Sequence, residues 1–188
     1  MTQATFSQDG DYAADFAIAK LVFAGPVGAG KTTAIRTVTD SEPISTEMPL
    51  TEGATGDKTT TTVALDFSTA VLDDGTPLFV YGLPGQERFA HMRPIVLEGA
   101  FGVAIMVDGS ADDVAAQCEH WLREIRLLRP DIAIVVGITH TDLAPAFTLG
   151  PIREAIRRNG APVPTFTFDA RDRAQTHHLV RALLATLQ

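Results

Sequence analysis

The sequence predicts an α/β fold in which a mainly parallel, six-stranded sheet lies between two layers of helices. Apolar stretches of strand length alternate along the chain with amphipathic stretches of helix length. Two of the apolar stretches, 101–107 and 132–138, are continuous, as in strands that are buried on both faces. Such alternation requires right-handed crossovers, and these produce a parallel sheet covered by helices.

Length and charge set the outer limits of this prediction. The chain has 188 residues with 45% hydrophobic content, which is enough for one sizeable core. We expect a polar, acidic arm over 1–16 and a single folded domain over 17–188. The formal net charge of −8 argues against a broad nucleic-acid surface.

Cysteine content and apolar run length bear on where the chain works. Its single cysteine, Cys118, cannot form an internal disulfide, so we expect a buried thiol and a reducing, cytoplasmic setting. No apolar run approaches the length of a membrane span. We therefore expect any association with a membrane to go through a partner.

The first half of the chain is predicted to begin with a strand over 19–24 and a helix over 31–40. A hairpin follows, with strands at 63–72 and 77–82 around an Asp-Asp-Gly turn. The intervening stretch, 41–62, shows neither apolar period. We predict a long loop there, and loops of this length in compact domains are usually functional or disordered.

The second half adds three helices to the two buried strands. A turn and an amphipathic segment interrupted by Pro94 lead into the first of these strands. Helices are predicted from Asp112 to Pro130 and over 149–159, followed by a strand over 163–168. The terminal helix should present these residues to the core: Leu179, Val180, Leu183, Leu184 and Leu187.

The glycine-rich turn GPVGAGKT, at 25–32, predicts a phosphate-binding loop. A strand that turns sharply into a helix leaves backbone N–H groups pointing into one concavity, where an anion is favoured. Lys31 can reach terminal phosphates, and the Thr32 hydroxyl is a suitable ligand for Mg²⁺. The other residues predicted to contact the nucleotide here are Gly25, Val27, Gly28, Ala29, Gly30 and Thr33.

Three further motifs are expected at the same edge of the sheet, because each follows a strand. They are 82–87, 139–142 and 169–171. In open α/β sheets, ligands bind beyond the carboxyl ends of the strands. The sequence therefore predicts one site built from four motifs.

The order of these motifs resembles that of Ras-like small GTPases, from about Ala17 onward. The segments DKTTTT, PGQERF and DARDR are similar to the bacterial gliding-motility type and to the GTPases of actinobacterial conservon operons. The resemblance implies a P-loop NTPase fold of the small-GTPase kind. It also implies GTP or GDP with Mg²⁺ as ligands, nucleotide-dependent switch loops, a roadblock-fold regulator and a sensor-kinase-like partner from the same operon.

The resemblance also implies roles around the γ-phosphate. Gly85 would donate its backbone N–H to that phosphate, and Gln86 would position the attacking water, with Lys31 also contributing to catalysis. Thr62, four residues before Asp66, would ligate Mg²⁺ when GTP is bound. Thr59, Thr60 and Thr61 remain alternatives for that ligand.

The remaining implied roles concern the base. Asp142 can accept hydrogen bonds from the guanine N1–H and N2–H₂ groups, which adenine does not present. Thr139 and His140 stand where the family carries Asn and Lys. In the family the Asn supports the phosphate-binding loop and the apolar stem of the Lys covers the face of the purine, so this chain must meet both needs with other side chains. At 169–171, the Ala170 N–H would face guanine O6 and Arg171 would flank the base. Asp169 is the third nucleotide-binding residue predicted in this motif.

Two departures from the family pattern affect the expected chemistry. Gly82 replaces the usual aspartate, so that carboxylate is missing near Mg²⁺. Val27 replaces a glycine and should crowd Gln86, which predicts slow hydrolysis. Lys58, Arg88 and Arg93 are cations beside the switch loops that could neutralise charge in the transition state, although each is expected at the solvated surface.

Two other functions remain open from the sequence alone. The combined departures at Val27, Gly82, Thr139 and His140 are compatible with a nucleotide-binding pseudo-GTPase that acts as an interaction scaffold. The same phosphate-binding loop could also serve an ATPase.

Overall fold

A computed structural model describes residues 19–39, 41–49, 62–72, 75–160 and 162–187. The predicted arm over 1–16 lies outside this range, as does Lys58 together with Thr59, Thr60 and Thr61. The strands are β1 (Ala19–Ala24), β2 (Ile44–Pro49), β3 (Thr62–Val71), β4 (Pro77–Gly82), β5 (Gly102–Asp108), β6 (Ala133–Thr139) and β7 (Thr165–Thr167). The α-helices are α1 (Lys31–Thr39), α2 (Arg93–Leu97), α3 (Val114–Leu128), α4 (Gly150–Arg158) and α5 (Arg173–Ala185), with 3₁₀ helices at Glu87–Met92 and Thr141–Leu143.

The strands form one sheet in the order β2-β3-β4-β1-β5-β6-β7. The pairs from β4 through β7 are parallel, whereas β3 is antiparallel to both β2 and β4. The carboxyl ends of β1, β4, β5, β6 and β7 therefore meet at one edge. The predicted fold class is confirmed.

Helices cover both faces of the sheet, and each face has its own apolar core. On one face, α2, α3 and α4 pack against residues such as Val22, Ile105 and Val136. On the other face, α1 and α5 pack against residues such as Phe23 and Met106. Because alternate residues of the central strands enter opposite layers, β1, β5 and β6 are buried almost throughout.

The sheet contains one strand more than the sequence predicted. Residues 44–49, placed in the long loop, form β2 and pair antiparallel with β3, with Ile44 opposite Phe67 and Pro49 opposite Thr62. An edge strand is held by hydrogen bonds to a single neighbour, so it needs no regular apolar alternation. Because residues 44–49 show no apolar alternation, the sequence did not predict β2.

The segment around Pro94 divides into the 3₁₀ helix Glu87–Met92 and α2, and Pro94 lies in the first turn of α2, where a missing backbone N–H breaks no helical hydrogen bond. One smaller expectation needs correction. Leu187 is not a core residue, since it lies beyond the end of α5 and is 49% exposed. Cys118 is buried as expected, and burial raises the pKa of its thiol to about 12.

Within the described part of the chain, no helix combines the length and the apolar character that crossing a membrane requires.

Candidate functional site

The loop from Gly25 to Gly30 lies at the centre of the carboxyl edge of the sheet. Gly25 has a φ of 139°, a conformation that side chains rarely adopt, and a Cβ there would lie 2.0 Å from the backbone oxygen of Met106. Only glycine fits this contact. The loop backbone is thus pressed against β5 where it turns toward α1.

Lys31 is folded back onto this loop. Its Nζ donates hydrogen bonds to the backbone oxygens of Gly25, at 2.9 Å, and Pro26, at 2.7 Å. Burial lowers the pKa of Lys31 to about 8, although the nearby Asp66 carboxylate opposes that shift. A lysine held this way provides a desolvated cation at the mouth of the loop.

Two adjoining cavities open at this edge of the sheet. The one called here the second cavity has a volume of about 430 Å³ and opens above Lys31 and Thr32. Val27, whose side chain is 67% exposed, lines it together with Gly85 and Gln86. Gly85 lies directly on the loop: a Cβ there would be 2.5 Å from the backbone N of Val27. The segment after β4 therefore forms the cover of this cavity.

Asp66 enters the second cavity from β3. Its Oδ2 accepts a hydrogen bond from the Thr32 hydroxyl at 2.5 Å. The register pairs Asp66 with Gly82, and a Cβ on Gly82 would lie 3.1 Å from the Asp66 Cβ. Position 82 carries no carboxylate, as the sequence indicated, but the Asp66 carboxylate stands over it and lines the same cavity.

The other cavity, called here the first cavity, has a volume of about 410 Å³. It adjoins the second cavity across Gly30 and Thr33, which line both. Thr139 is buried at its base. Its hydroxyl donates toward the backbone oxygens of Ala29, at 3.2 Å, and Val107, at 3.3 Å. The threonine therefore ties the end of β6 to the glycine-rich loop.

His140 follows with a φ of 53°, in the left-handed region. Its Nδ1 lies 3.1 Å from Asp108 Oδ2, which fixes the imidazole at the rim of the first cavity. Asp142 lies in the 3₁₀ helix Thr141–Leu143, exposed on the same rim. The motif at 139–142 thus presents one ring and one carboxylate to the cavity.

The opposite wall of the first cavity comes from the segment after β7. Ala170 is buried and would lie 3.5 Å from a Cβ on Gly30. Arg171 Nε and Nη2 donate to the two carboxylate oxygens of Asp169, at 2.9 and 2.8 Å. These hydrogen bonds from Arg171 lower the pKa of Asp169 to about 2. The pair forms a polar lip beside Asp142.

The structure brings together nearly all of the predicted site residues. The loop residues, Gly85, Gln86 and the motifs at 139–142 and 169–171 all face the two adjoining cavities or the loop beneath them. Thr62 begins β3, but its side chain lies outside the described part. Arg88 is exposed, as expected, whereas Arg93 is buried, contrary to prediction.

Sequence reasoning missed Asp66 as a site residue. It appears as one acidic residue in an alternating strand, which is ordinary for a half-exposed sheet. The signal was available in the hairpin: counting back equally from its turn places Asp66 opposite Gly82. A glycine facing an acidic residue near a phosphate-binding loop is the pattern that could have identified it.

Fold and site together define a P-loop nucleotide-binding domain of the Ras-like type: a strand, a glycine-rich loop and a helix, with two adjoining cavities at the carboxyl edge of the sheet. Residues 20–142 match the family described as Roc, the Ras of Complex domain of DAPkinase. The match covers more than half of the chain, which therefore belongs to this family of Ras-like GTPase domains.

A curated relative agrees with this assignment. The chain is 30% identical over 106 residues to the Ras-related protein Rab-18-B of Danio rerio. That alignment covers 56% of this chain and 47% of the relative, so the chain matches about half of the relative's length.

Replacing Thr139 by valine should lower the free energy of unfolding by about 1 to 2 kcal/mol, because the buried hydroxyl, which shares its one proton between two backbone oxygens, is lost at nearly constant volume. Urea denaturation of the nucleotide-free protein measures this. Thr186→Val is the matched control, since that hydroxyl, at the exposed end of α5, donates to the Leu183 carbonyl and to no other group among the described residues. Equal effects for the two variants would contradict the role assigned to Thr139.

Proposed function

We propose that this chain is a GTP-dependent molecular switch that binds Mg²⁺ and GTP, hydrolyses the nucleotide slowly to GDP and phosphate, and signals through its switch segments. The observation that carries the proposal is the continuity of the two cavities across Gly30 and Thr33. One cavity has the groups that suit a guanine base, and the other has those that suit a phosphate chain.

In this proposal the base occupies the first cavity. The Asp142 carboxylate accepts hydrogen bonds from the guanine edge, and the Ala170 N–H donates to O6. His140 covers the ring, while Thr139 keeps the loop at its base in place. A site that pairs these polar groups with guanine leaves them unpaired with adenine, which favours GTP over ATP.

The phosphates occupy the loop and the second cavity. The Lys31 ammonium exchanges its carbonyl partners for phosphate oxygens, while Gly85 donates its N–H to the γ-phosphate. Gln86 orients the attacking water, so catalysis rests on positioning and charge stabilisation. The segments 41–62 and 83–98 change shape with the nucleotide, and partners recognise that change.

The oxygen atoms of Thr32 and Asp66 are suitable ligands for a magnesium ion. A hydroxyl and a carboxylate oxygen already lie within hydrogen-bond distance of each other, and both are hard oxygen ligands of the kind Mg²⁺ selects. Thr32 would ligate the metal, Asp66 would hold it directly or through water, and Thr62 would join in the GTP state. When bound, the metal neutralises charge on the phosphate oxygens.

Replacing Asp66 by asparagine should weaken magnesium-dependent nucleotide binding by about 10- to 100-fold, the usual cost of losing a supporting carboxylate at a metal site. Dissociation of a fluorescent GDP analogue, followed across a magnesium titration, measures this. Asp131→Asn, at an exposed position before β6, is the matched control. If both variants showed the unaltered magnesium dependence, Asp66 would have no part in the metal site.

Val27 accounts for the slow hydrolysis in this proposal. Val27 is 67% exposed to solvent, and it lines the second cavity together with Gln86. The crowding opposes the arrangement of Gln86 and of any arginine supplied by a partner. An activating partner would then act chiefly by placing Gln86.

Replacing Val27 by glycine should speed single-turnover GTP hydrolysis several-fold, because space opens beside Gln86. Quenched-flow or phosphate-sensor measurements on GTP-loaded protein test this, with GDP affinity measured in parallel to separate chemistry from binding. Unchanged hydrolysis, with and without partner, would refute the crowding hypothesis.

The finer affiliation rests on the motifs DKTTTT, PGQERF and DARDR. They support placing the chain in the bacterial branch, near the gliding-motility and conservon GTPases. A roadblock-fold regulator and a sensor-kinase-like protein are the partners this placement proposes. Any membrane association would go through such a partner.

The packing of Gly85 on the backbone of Val27 favours a second candidate function. A segment that already rests on the loop leaves less room for a third phosphate, as in a nucleotide-binding pseudo-GTPase that serves as an interaction scaffold.

One experiment separates these functions. The nucleotide released from purified protein is identified, and phosphate release is then followed with GTP and ATP at defined Mg²⁺ concentrations. We expect GDP or GTP to be released, followed by slow turnover of GTP. Bound nucleotide without turnover would favour the scaffold, and a preference for ATP would overturn the assignment of the first cavity to guanine.

A further inference from the structure

A glutamine of the last helix lines the first cavity beside the segment that forms one wall of it. Gln175 lies in the first turn of α5, and the wall is the segment 169–171, here called the wall segment. A glutamine side chain offers one acceptor oxygen and an NH₂ group with two donors. The groups that these atoms bond decide whether the residue serves the helix or the cavity.

The residue that caps α5 is Asp172. Its Oδ1 accepts the backbone N–H of Gln175 at 3.1 Å. An acidic cap with a glutamine three residues later has the form of a capping box, in which the glutamine oxygen accepts the N–H of the cap residue. Here that N–H is already engaged, because it donates to the Asp169 carbonyl at 3.0 Å.

The Gln175 side chain therefore extends past the cap. Its Oε1 accepts the backbone N–H of Asp169 at 3.0 Å, and its Nε2 donates to Asp172 Oδ2 at 2.9 Å. One side chain thus joins the first residue of the wall segment to the first turn of α5. Capping the helix does not require the bond to Asp169, since the Asp172 carboxylate already caps it.

Further hydrogen bonds fix the rest of the wall segment. The Arg171 N–H donates to Asp169 Oδ1 at 2.9 Å. Thr176, which is fully buried in α5, supports the segment through its hydroxyl, which lies 2.9 Å from the carbonyl oxygen of Asp172 and 3.4 Å from that of Ala170. The backbone is therefore held on both sides of Ala170.

One backbone donor remains without a partner here. Of the four N–H groups from Asp169 to Asp172, three have the acceptors given above, and the N–H of Ala170 has none within the part of the chain that the structure describes. Ala170 is buried and lines the first cavity. A buried N–H is unfavourable until a ligand or a water accepts from it. The bonds that hold the neighbouring residues also fix this donor.

We propose that Gln175 is a positioning residue that sets the preference of the first cavity for guanine: by holding the Asp169 amide, it keeps the Ala170 N–H in place to donate to O6 of the base. This inference rests on the proposed function, in which the base occupies that cavity. Adenine carries an amino group in place of O6, and that group donates rather than accepts. The Ala170 N–H therefore discriminates against adenine only while the wall segment is held.

The test replaces Gln175 by alanine and compares GDP with 6-thio-GDP, in which sulfur, a weak acceptor, replaces O6. Both ligands offer the same N1–H and N2–H₂ groups to Asp142. We expect the variant to bind GDP about fivefold more weakly, the usual effect of one neutral hydrogen bond, while its affinity for 6-thio-GDP changes much less. Isothermal titration calorimetry of nucleotide-free protein in Mg²⁺ measures both dissociation constants.

A third ligand separates this effect from a general weakening of the site. IDP keeps O6 but lacks the N2 amino group, so the ratio of GDP to IDP affinity reports on the contact with Asp142. Gln175→Ala should leave that ratio unchanged while it lowers the ratio of GDP to 6-thio-GDP affinity. A fall in both ratios would show that the whole site is disturbed and would overturn the inference.

Gln117→Ala is the matched control. Gln117 Nε2 likewise donates to the N-cap aspartate of its own helix, at 2.6 Å from Asp113 Oδ1 on α3, and it lies outside the linings of both cavities. This variant should move neither affinity ratio. If it lowered the ratio of GDP to 6-thio-GDP affinity as much as Gln175→Ala does, the contact of Gln175 with Asp169 would not be the cause.

Two further outcomes keep the inference distinct from the function on which it rests. If the unaltered protein bound no guanine nucleotide, the proposed function would fail, and the role of Gln175 would fail with it. If the unaltered protein bound GDP and the ratio of GDP to 6-thio-GDP affinity were unchanged in Gln175→Ala, the role of Gln175 alone would be overturned.

Discussion

The site depends on the close approach of the glycine-rich loop to the backbone on either side of it. Gly25 lies against the Met106 carbonyl of β5, and Gly85 lies against the Val27 amide. These contacts leave the loop little freedom. Lys31 can then fold back onto the loop carbonyls, and Thr139 can reach Ala29 from the neighbouring strand. A phosphate-binding concavity is preorganised when its backbone is confined in this way.

The antiparallel hairpin of β3 and β4 places a side chain from the interior of a strand at this edge of the sheet, which a purely parallel sheet would not do. Because β3 runs against β4, a residue early in β3 lies beside the carboxyl end of β4, where the loop is. Asp66 occupies that position and bonds to Thr32, while the missing side chain of Gly82 leaves room for it. The carboxylate at this part of the site therefore comes from β3 rather than from β4.

Local pattern was sufficient for most of the fold and for the motifs. Buried strands such as β5 and β6 are continuous apolar runs, and the glycine-rich loop has a fixed spacing, so both could be predicted from neighbouring residues alone. Three features could not. The edge strand β2 is defined by its pairing with β3, and the role of Asp66 depends on hairpin register. The burial of Arg93 depends on Trp121 and Glu124, about thirty residues away in sequence.

The stacking of Arg93 on Trp121 has a spectroscopic consequence. Trp121 is the only tryptophan in the chain, and it lies in the core with a guanidinium over its ring. Indole emission changes when a nearby cation moves or when water reaches the ring. The intrinsic fluorescence of the unlabelled protein should therefore report any movement of Arg93, and with it of α2, relative to α3.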